Sequence, residues 1–221
     1  MASTVSALQP ARPCAPFSAR AGSKKPQQRR CAVLVRADVK TAERGLTSGV
    51  QISGMRPTSP KAWELISKTL KKSGVSFVTA DAVEAALKRG TPVVDIRPSN
   101  EFSRGRIPGS VNCCFYQPIE GWSPEKIVRR VGFSFFGVYG TEANPDFVDE
   151  VAAAVPKKNG GCILVCNIGG SLDKTGPSEW GRQSRSLTAA YELIQNGFTN
   201  IKVLQDGYGG WTKSEREVEM D

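Results

Sequence analysis

From residue 74 onward, short apolar runs alternate with segments whose apolar side chains recur every three or four positions, the periods of buried strands and of one-sided helices. Phe77 and Val78 lead into a helix that Thr79 caps and Gly90 stops, with Ala82, Val83, Ala86 and Leu87 available for burial. Residues 92–96 predict a compact strand, and a polar turn with a short helix near 99–104 follows. Another strand is expected over 111–115, a helix over 145–155, and a fully buried strand over 162–166, Cys-Ile-Leu-Val-Cys. A glycine-rich loop then feeds a helix over 184–196, stopped by Gly197, before a last strand at 201–204 and a last helix at 209–219. Strands separated by helices imply a parallel sheet covered on both faces. Ligand sites of such sheets lie beyond the carboxyl ends of the strands, and Cys166 stands at such an end.

Two stretches break the alternation. Residues 38–73 are punctuated by Gly45, Gly49, Gly54, Pro57 and Pro60, and only 61–72 has helical spacing, with Trp63, Ile66 and Leu70 on one side. This is the pattern of a linker with one short helix ahead of a domain over 74–221. The segment 119–139 carries Trp122, Phe133, Phe135, Phe136 and Tyr139. Packing of a long crossover against the sheet is the favoured expectation, since aromatics dominate core energetics; a partner-binding surface is the alternative.

Charge separates the first 37 residues from the rest. The chain has 221 residues and a formal net charge of +9, which taken alone suggests a nucleic-acid or membrane partner. Arg12, Arg20, Lys24, Lys25, Arg29, Arg30 and Arg36 all precede the first acidic residue, Asp38; setting these seven aside leaves 23 basic against 21 acidic residues. The body is nearly neutral, so no nucleic-acid partner is expected. The Met-Ala-Ser-Thr start, the Ala, Ser, Pro and Arg content and the Val-Arg-Ala close at residue 37 fit a chloroplast transit peptide, with a disordered tail as the bland alternative. No apolar run approaches the roughly 20 residues that span a bilayer, so the protein is expected in the stroma or peripheral to the thylakoid.

Candidate chemistry narrows quickly, because the chain contains no His. Ser/His/Asp triads, Cys/His dyads and His-containing metal clusters are thereby excluded. Cys14 and Cys31 fall in the presumed transit segment, leaving Cys113, Cys114, Cys162 and Cys166. There is no repeated C-x-x-C, and neither a metal site nor another cofactor is expected. Cys113, Cys114 and Cys162 read as packing residues. Cys166 borders Asn167 and the pair Gly169-Gly170, which favours a nucleophile over a buried structural thiol.

These residues carry a family resemblance. Asp95-Ile96-Arg97-Pro98, Glu101-Phe102 and residues 105–112 (Gly-Arg-Ile-Pro-Gly-Ser-Val-Asn) resemble the first signature of rhodanese (sulfurtransferase) domains. Cys166, Ser184-Arg185-Ser186-Leu187, Ala189-Ala190, Gly197-Phe198 and Asn200 resemble the central segment, and Leu204, Gly207 and Trp211 the closing one. The resemblance covers about residues 74–215 and is closest to plant and algal chloroplast single-domain members. It implies a doubly wound α/β domain whose Cys166 accepts sulfane sulfur as a persulfide and passes it to a thiol or cyanide. Cys166 is then the catalytic residue, with Asn167, Ile168, Gly169, Gly170, Ser171, Arg185 and Ser186 as substrate-binding residues. The partners implied are a small sulfur donor, a protein thiol acceptor and a chloroplast protein. Without imidazole, the thiolate is expected to be held by loop N–H groups and the positive end of the next helix, with Arg185 as a fixed cation facing it or an anionic donor.

The sequence also departs from the family. Eighteen residues separate Cys166 from Arg185, where typical members have four; the excess reads as a flexible glycine-rich excursion. Arg106 stands where His is usual and Asp206 where Gly is common. The long loop keeps open a non-catalytic module that binds a chloroplast protein. It also disfavours a cysteine phosphatase, whose compact loop wraps a phosphate.

Overall fold

The computed structural model describes residues 52–135, 140–176 and 178–221. The segment 1–37 read as a transit peptide, the first part of the stretch read as a linker, Cys14, Cys31, Phe136 and Tyr139 lie outside the described residues. The elements run α1 (Pro60–Lys72), β1 (Ser76–Val78), α2 (Ala80–Lys88), β2 (Val93–Asp95), α3 (Ser99–Arg104), β3 (Val111–Asn112), β4 (Tyr116–Pro118), α4 (Pro124–Phe135), β5 (Thr141–Ala143), α5 (Phe147–Ala154), β6 (Cys162–Val165), α6 (Arg185–Gln195), β7 (Ile201–Leu204) and α7 (Gly207–Lys213).

Five strands form a parallel sheet in the order β1-β7-β6-β2-β3, so β6 lies at its centre. Side chains alternate across a strand, and β6 divides accordingly. Cys162, Leu164 and Cys166 join one buried cluster with Ile66 of α1, Val151 of α5 and Leu187 of α6. Ile163 and Val165 join a second cluster with Val83 of α2 and Trp211 of α7. The sheet is covered on both faces, as the alternation of strands and helices requires. Polar caps set where helices begin: Ser59, Thr79 and Ser184 each accept from an N–H in the first turn of α1, α2 and α6.

Helix α1 sets Trp63, Ile66 and Leu70 into the core. The last helix is shorter than its sequence pattern, ending at Lys213. Glu215 adopts φ +52°, which turns the chain out of the helix and brings Glu219 into an antiparallel bridge with Arg106. Arg106, in the place of the family's His, also donates to the carboxylates of Glu219 at 2.7 Å and of Asp221. The strand expected over 111–115 pairs in register with β2 only at Val111 and Asn112, although the Cys113 and Phe115 N–H groups still donate to the Asp95 and Ile96 carbonyls; the Cys114 thiol lies 2.8 Å from the Tyr116 carbonyl. From there β4 pairs antiparallel with β5 as a separate ribbon around α4. Packing accounts for part of the aromatic segment only: Trp122 is 85% exposed and Val128 and Val131 lie on the outer face of α4. Among the described residues no helix is long and apolar enough to cross a membrane.

Candidate functional site

Cys166 follows β6 directly, at the carboxyl edge of the sheet. Strand alternation turns its side chain toward the face covered by α6, and it is 2% exposed. Its Sγ lies 3.1 Å from the Ser186 hydroxyl in the first turn of α6. Among the described residues this is the one hydrogen bond the sulfur makes. Ser186, itself fully buried, also donates to the Gly169 carbonyl at 3.1 Å, and Ser184 donates to the same oxygen at 2.8 Å. The two hydroxyls are 3.0 Å apart, and Leu187 N–H donates to Ser184. Three short side chains and one carbonyl therefore form a closed polar knot inside an apolar layer.

Two N–H groups of the loop are committed elsewhere. Gly169 adopts φ +67°, which only glycine enters without strain. The resulting tight turn points Gly170 N–H back at the Ile168 carbonyl, 2.7 Å away. Ser171 N–H pairs with the Arg182 carbonyl. Two of the N–H groups expected to cradle the sulfur, those of Gly170 and Ser171, are thus turned to other acceptors by the tight turn and the insertion. Gly207 is a second constrained position: with φ +59°, a Cβ there would collide with the Cys166 carbonyl. That carbonyl instead accepts from Tyr208 N–H at 2.8 Å, and the Asn167 carbonyl accepts from Gly209 N–H at 3.0 Å. The start of α7 therefore clamps the two residues at the end of β6.

The remaining expected site residues separate. Asn167 reaches outward to Glu101, 2.8 Å away, and Ile168 is 49% exposed. Both line a cavity of about 510 Å³ on the α7 side, with Arg182, Asp206 and Lys213. Arg185 does not face the sulfur: its guanidinium lies over the Tyr116 ring, 5.9 Å from the centroid. The helical turn explains this, since Ser186, Leu187, Ala189, Ala190 and Leu193 take the buried side of α6, leaving Arg185 outside. The other thiols are poor nucleophiles. Burial pushes Cys113 up to about 12 and Cys162 up to about 11. Cys114 is also raised, first by desolvation and then by the charge of Glu150. No cluster among the described residues could hold a metal ion.

The sequence matches the rhodanese-like domain family over residues 79–214. The chain belongs to that family. It is 35% identical to rhodanese-like domain-containing protein 14, chloroplastic, of Arabidopsis thaliana, over 78% of this chain and 79% of that one. It is 26% identical to thiosulfate sulfurtransferase 16, chloroplastic, of the same plant, over 63% of this chain and 88% of that one. Among solved structures it is similar to a thiosulfate sulfurtransferase from Pseudomonas aeruginosa, at 16% identity and a TM-score of 0.44, covering 73% of this chain and 23% of that one.

In this rhodanese-like chain the insertion after the cysteine is not a loose excursion. Bridges Ser171–Arg182 and Thr175–Ser178 fold it as a hairpin. Helix α1 holds the hairpin: Ser67 Oγ donates to the Trp180 carbonyl at 3.1 Å, Trp63 Nε1 to the Gly181 carbonyl at 3.4 Å, and Lys68 Nζ sits 5.0 Å from the Trp180 ring centroid. Leu172 enters the core cluster and Trp180 packs against it. Ser184 joins the site without having been expected there, although its position as the cap two residues before Ser186 is visible in the sequence. Nothing in the sequence alone signals that α1 holds the insertion.

Proposed function

We propose that this chain is a sulfurtransferase that carries sulfane sulfur as a persulfide on Cys166. The observation that carries this reading is the placement of Cys166 at the end of the central strand with its sulfur on the first turn of α6. Burial raises the three other described thiols above the ordinary thiol value, which disfavours the thiolate, the nucleophilic form, at each of them. Family membership and a relative named as a thiosulfate sulfurtransferase support the same reading.

In the first half-reaction the Cys166 thiolate attacks the outer sulfur of a donor such as thiosulfate. A new S–S bond forms at the cysteine, the donor's S–S bond breaks, and sulfite leaves with the bonding pair. In the second, a thiolate or cyanide takes the outer sulfur and Cys166 is regenerated as thiolate. Incubation with thiosulfate followed by peptide mass spectrometry is expected to find one added sulfur atom on Cys166, lost in Cys166→Ser. An intact Cys166 thiol that gains no sulfur would sink the proposal.

A second reading is a rhodanese-like module that binds a chloroplast protein without turnover. The tied hairpin and the diversion of the Gly170 and Ser171 N–H groups to other acceptors favour it. The same thiosulfate experiment separates the two.

The working compartment on this proposal is the chloroplast, with residues 1–37 as a cleaved transit peptide, 38–73 as linker and 74–221 as the rhodanese-like domain. The acid-free, Arg-rich start supports it, as do two relatives named chloroplastic. Import into isolated chloroplasts is expected to shorten the chain near residue 37 and to leave it in the stroma or peripheral on the thylakoid. A full-length product outside the organelle would refute the assignment.

A further inference from the structure

We infer that the Ser186 hydroxyl is the group that stabilises the Cys166 thiolate, and that Ser184 frees it for that task. The inference rests on the reading of Cys166 as the nucleophile and adds the means of its activation.

The protons of the buried knot can be counted. Each serine hydroxyl has one hydrogen to give and lone pairs to receive with. With Cys166 protonated, its S–H points to Ser186 Oγ across 3.1 Å. Ser186 then gives its own hydrogen to the Gly169 carbonyl at 3.1 Å, and Ser184 gives one to the same oxygen at 2.8 Å. The carbonyl is thus served twice.

When the thiol proton leaves to solvent or an added base, the sulfur becomes an acceptor only. Ser186 turns its hydrogen about the Cβ–Oγ bond from Gly169 to the sulfur. Gly169 keeps the bond from Ser184, whose oxygen is fixed by the Leu187 N–H at 3.2 Å. Every donor in the knot has an acceptor in both states, so ionisation strands no buried polar group. A hydrogen bond to the charged form favours that form. A single hydroxyl rotation thus supplies charge stabilisation at the sulfur where no imidazole is present and where the turn at Gly169 diverts the Gly170 N–H.

The test is the rate of Cys166 alkylation by iodoacetamide, read at that residue by mass spectrometry between about pH 6 and 10. Ser186→Ala is expected to be about tenfold slower than wild type near neutral pH, the gap closing toward the alkaline end as the thiolate forms without help. Ser186→Thr restores the hydroxyl and stays close to wild type. Ser184→Ala, with Gly169 now dependent on Ser186, falls between the two, and circular dichroism melts establish that each variant is folded. A Ser186→Ala profile that superimposes on wild type overturns the inference. So does slowing by the same factor at every pH, the sign of altered access rather than altered charge, or a threonine variant as slow as alanine. Iodoacetamide transfers no sulfur, so the sulfurtransferase reading and this one fail separately. A thiosulfate experiment without product sinks the former, while the alkylation profile alone decides the latter.

Discussion

Arg97→Ala is expected to cost about 3–5 kcal/mol of stability, the penalty for leaving a buried carboxylate without its counter-charge. Asp95 ends β2 fully buried and Arg97 is nearly so. The guanidinium reaches Asp95 through Nε at 3.0 Å and Nη2 at 2.6 Å, and Nη2 also donates to the Gly105 carbonyl at 2.8 Å. Its flat face lies on the Tyr208 ring, 3.6 Å from the centroid. Lysine has neither the fork nor the plane, so Arg97→Lys is expected to recover little of the loss. The consequence extends to the site, because Tyr208 N–H holds the Cys166 carbonyl. Chemical denaturation of wild type, Arg97→Ala and Arg97→Lys measures the cost; a loss below about 1 kcal/mol, the scale of a surface pair, would show that Asp95 finds another partner.

The arrangement at these residues shows what the sequence could and could not reveal. Alternation of strands and helices is dictated by side-chain period, which is local, so the parallel sheet, the strand 162–166 and the cap at Thr79 were legible. The end of the last helix was not, since Glu215 turns the chain where the apolar pattern continues to Val218. Asp95 and Arg97 stood out in the sequence only as part of the first family signature, and the structure shows them paired at the end of β2. At the site, the nucleophile position followed from the strand end, but the orientation of α6 decided that Ser186 and not Arg185 faces the sulfur. The direction of loop N–H groups depends on a single turn at Gly169, which composition cannot resolve. The fate of the insertion depended on α1, more than a hundred residues away in sequence.

That long-range pairing gives the insertion a physical role. Helix α1 precedes the residues matched by the family, 79–214, and the hairpin lies in a loop longer than the family's. Helix α1 and the hairpin thus pack on each other: the indole of Trp63 and the hydroxyl of Ser67 satisfy two carbonyls of the hairpin that would otherwise turn to water. Leu172, Trp180 and Cys166 belong to one apolar layer with α1 and α6. Opening of the hairpin is therefore expected to uncover part of that layer, and with it the thiol.

Trp180→Ala is accordingly expected to make Cys166 about 30-fold more reactive toward iodoacetamide. A buried tryptophan contributes about 3–5 kcal/mol on truncation; Trp180 is half-buried, which leaves about 2 kcal/mol of docking energy, and 1.4 kcal/mol is a factor of ten in an equilibrium. The loss falls on the local opening of the hairpin rather than on the whole fold, because the sheet and its second cluster, with Trp211, are untouched. The bonds from the Ser67 hydroxyl and the Trp63 indole to the backbone carbonyls of residues 180 and 181 do not involve the Trp180 side chain and survive its truncation, so the hairpin still closes for most of the time. Cys114, away from the hairpin and bonded to the Tyr116 carbonyl, serves as the internal reference, its labelling expected to stay constant. Site-resolved labelling of wild type and Trp180→Ala decides the point: if Cys166 reacts at the same rate in both, reagents reach the sulfur by a route that the hairpin does not cover, and the depth of the thiol belongs to the sheet and α6 alone.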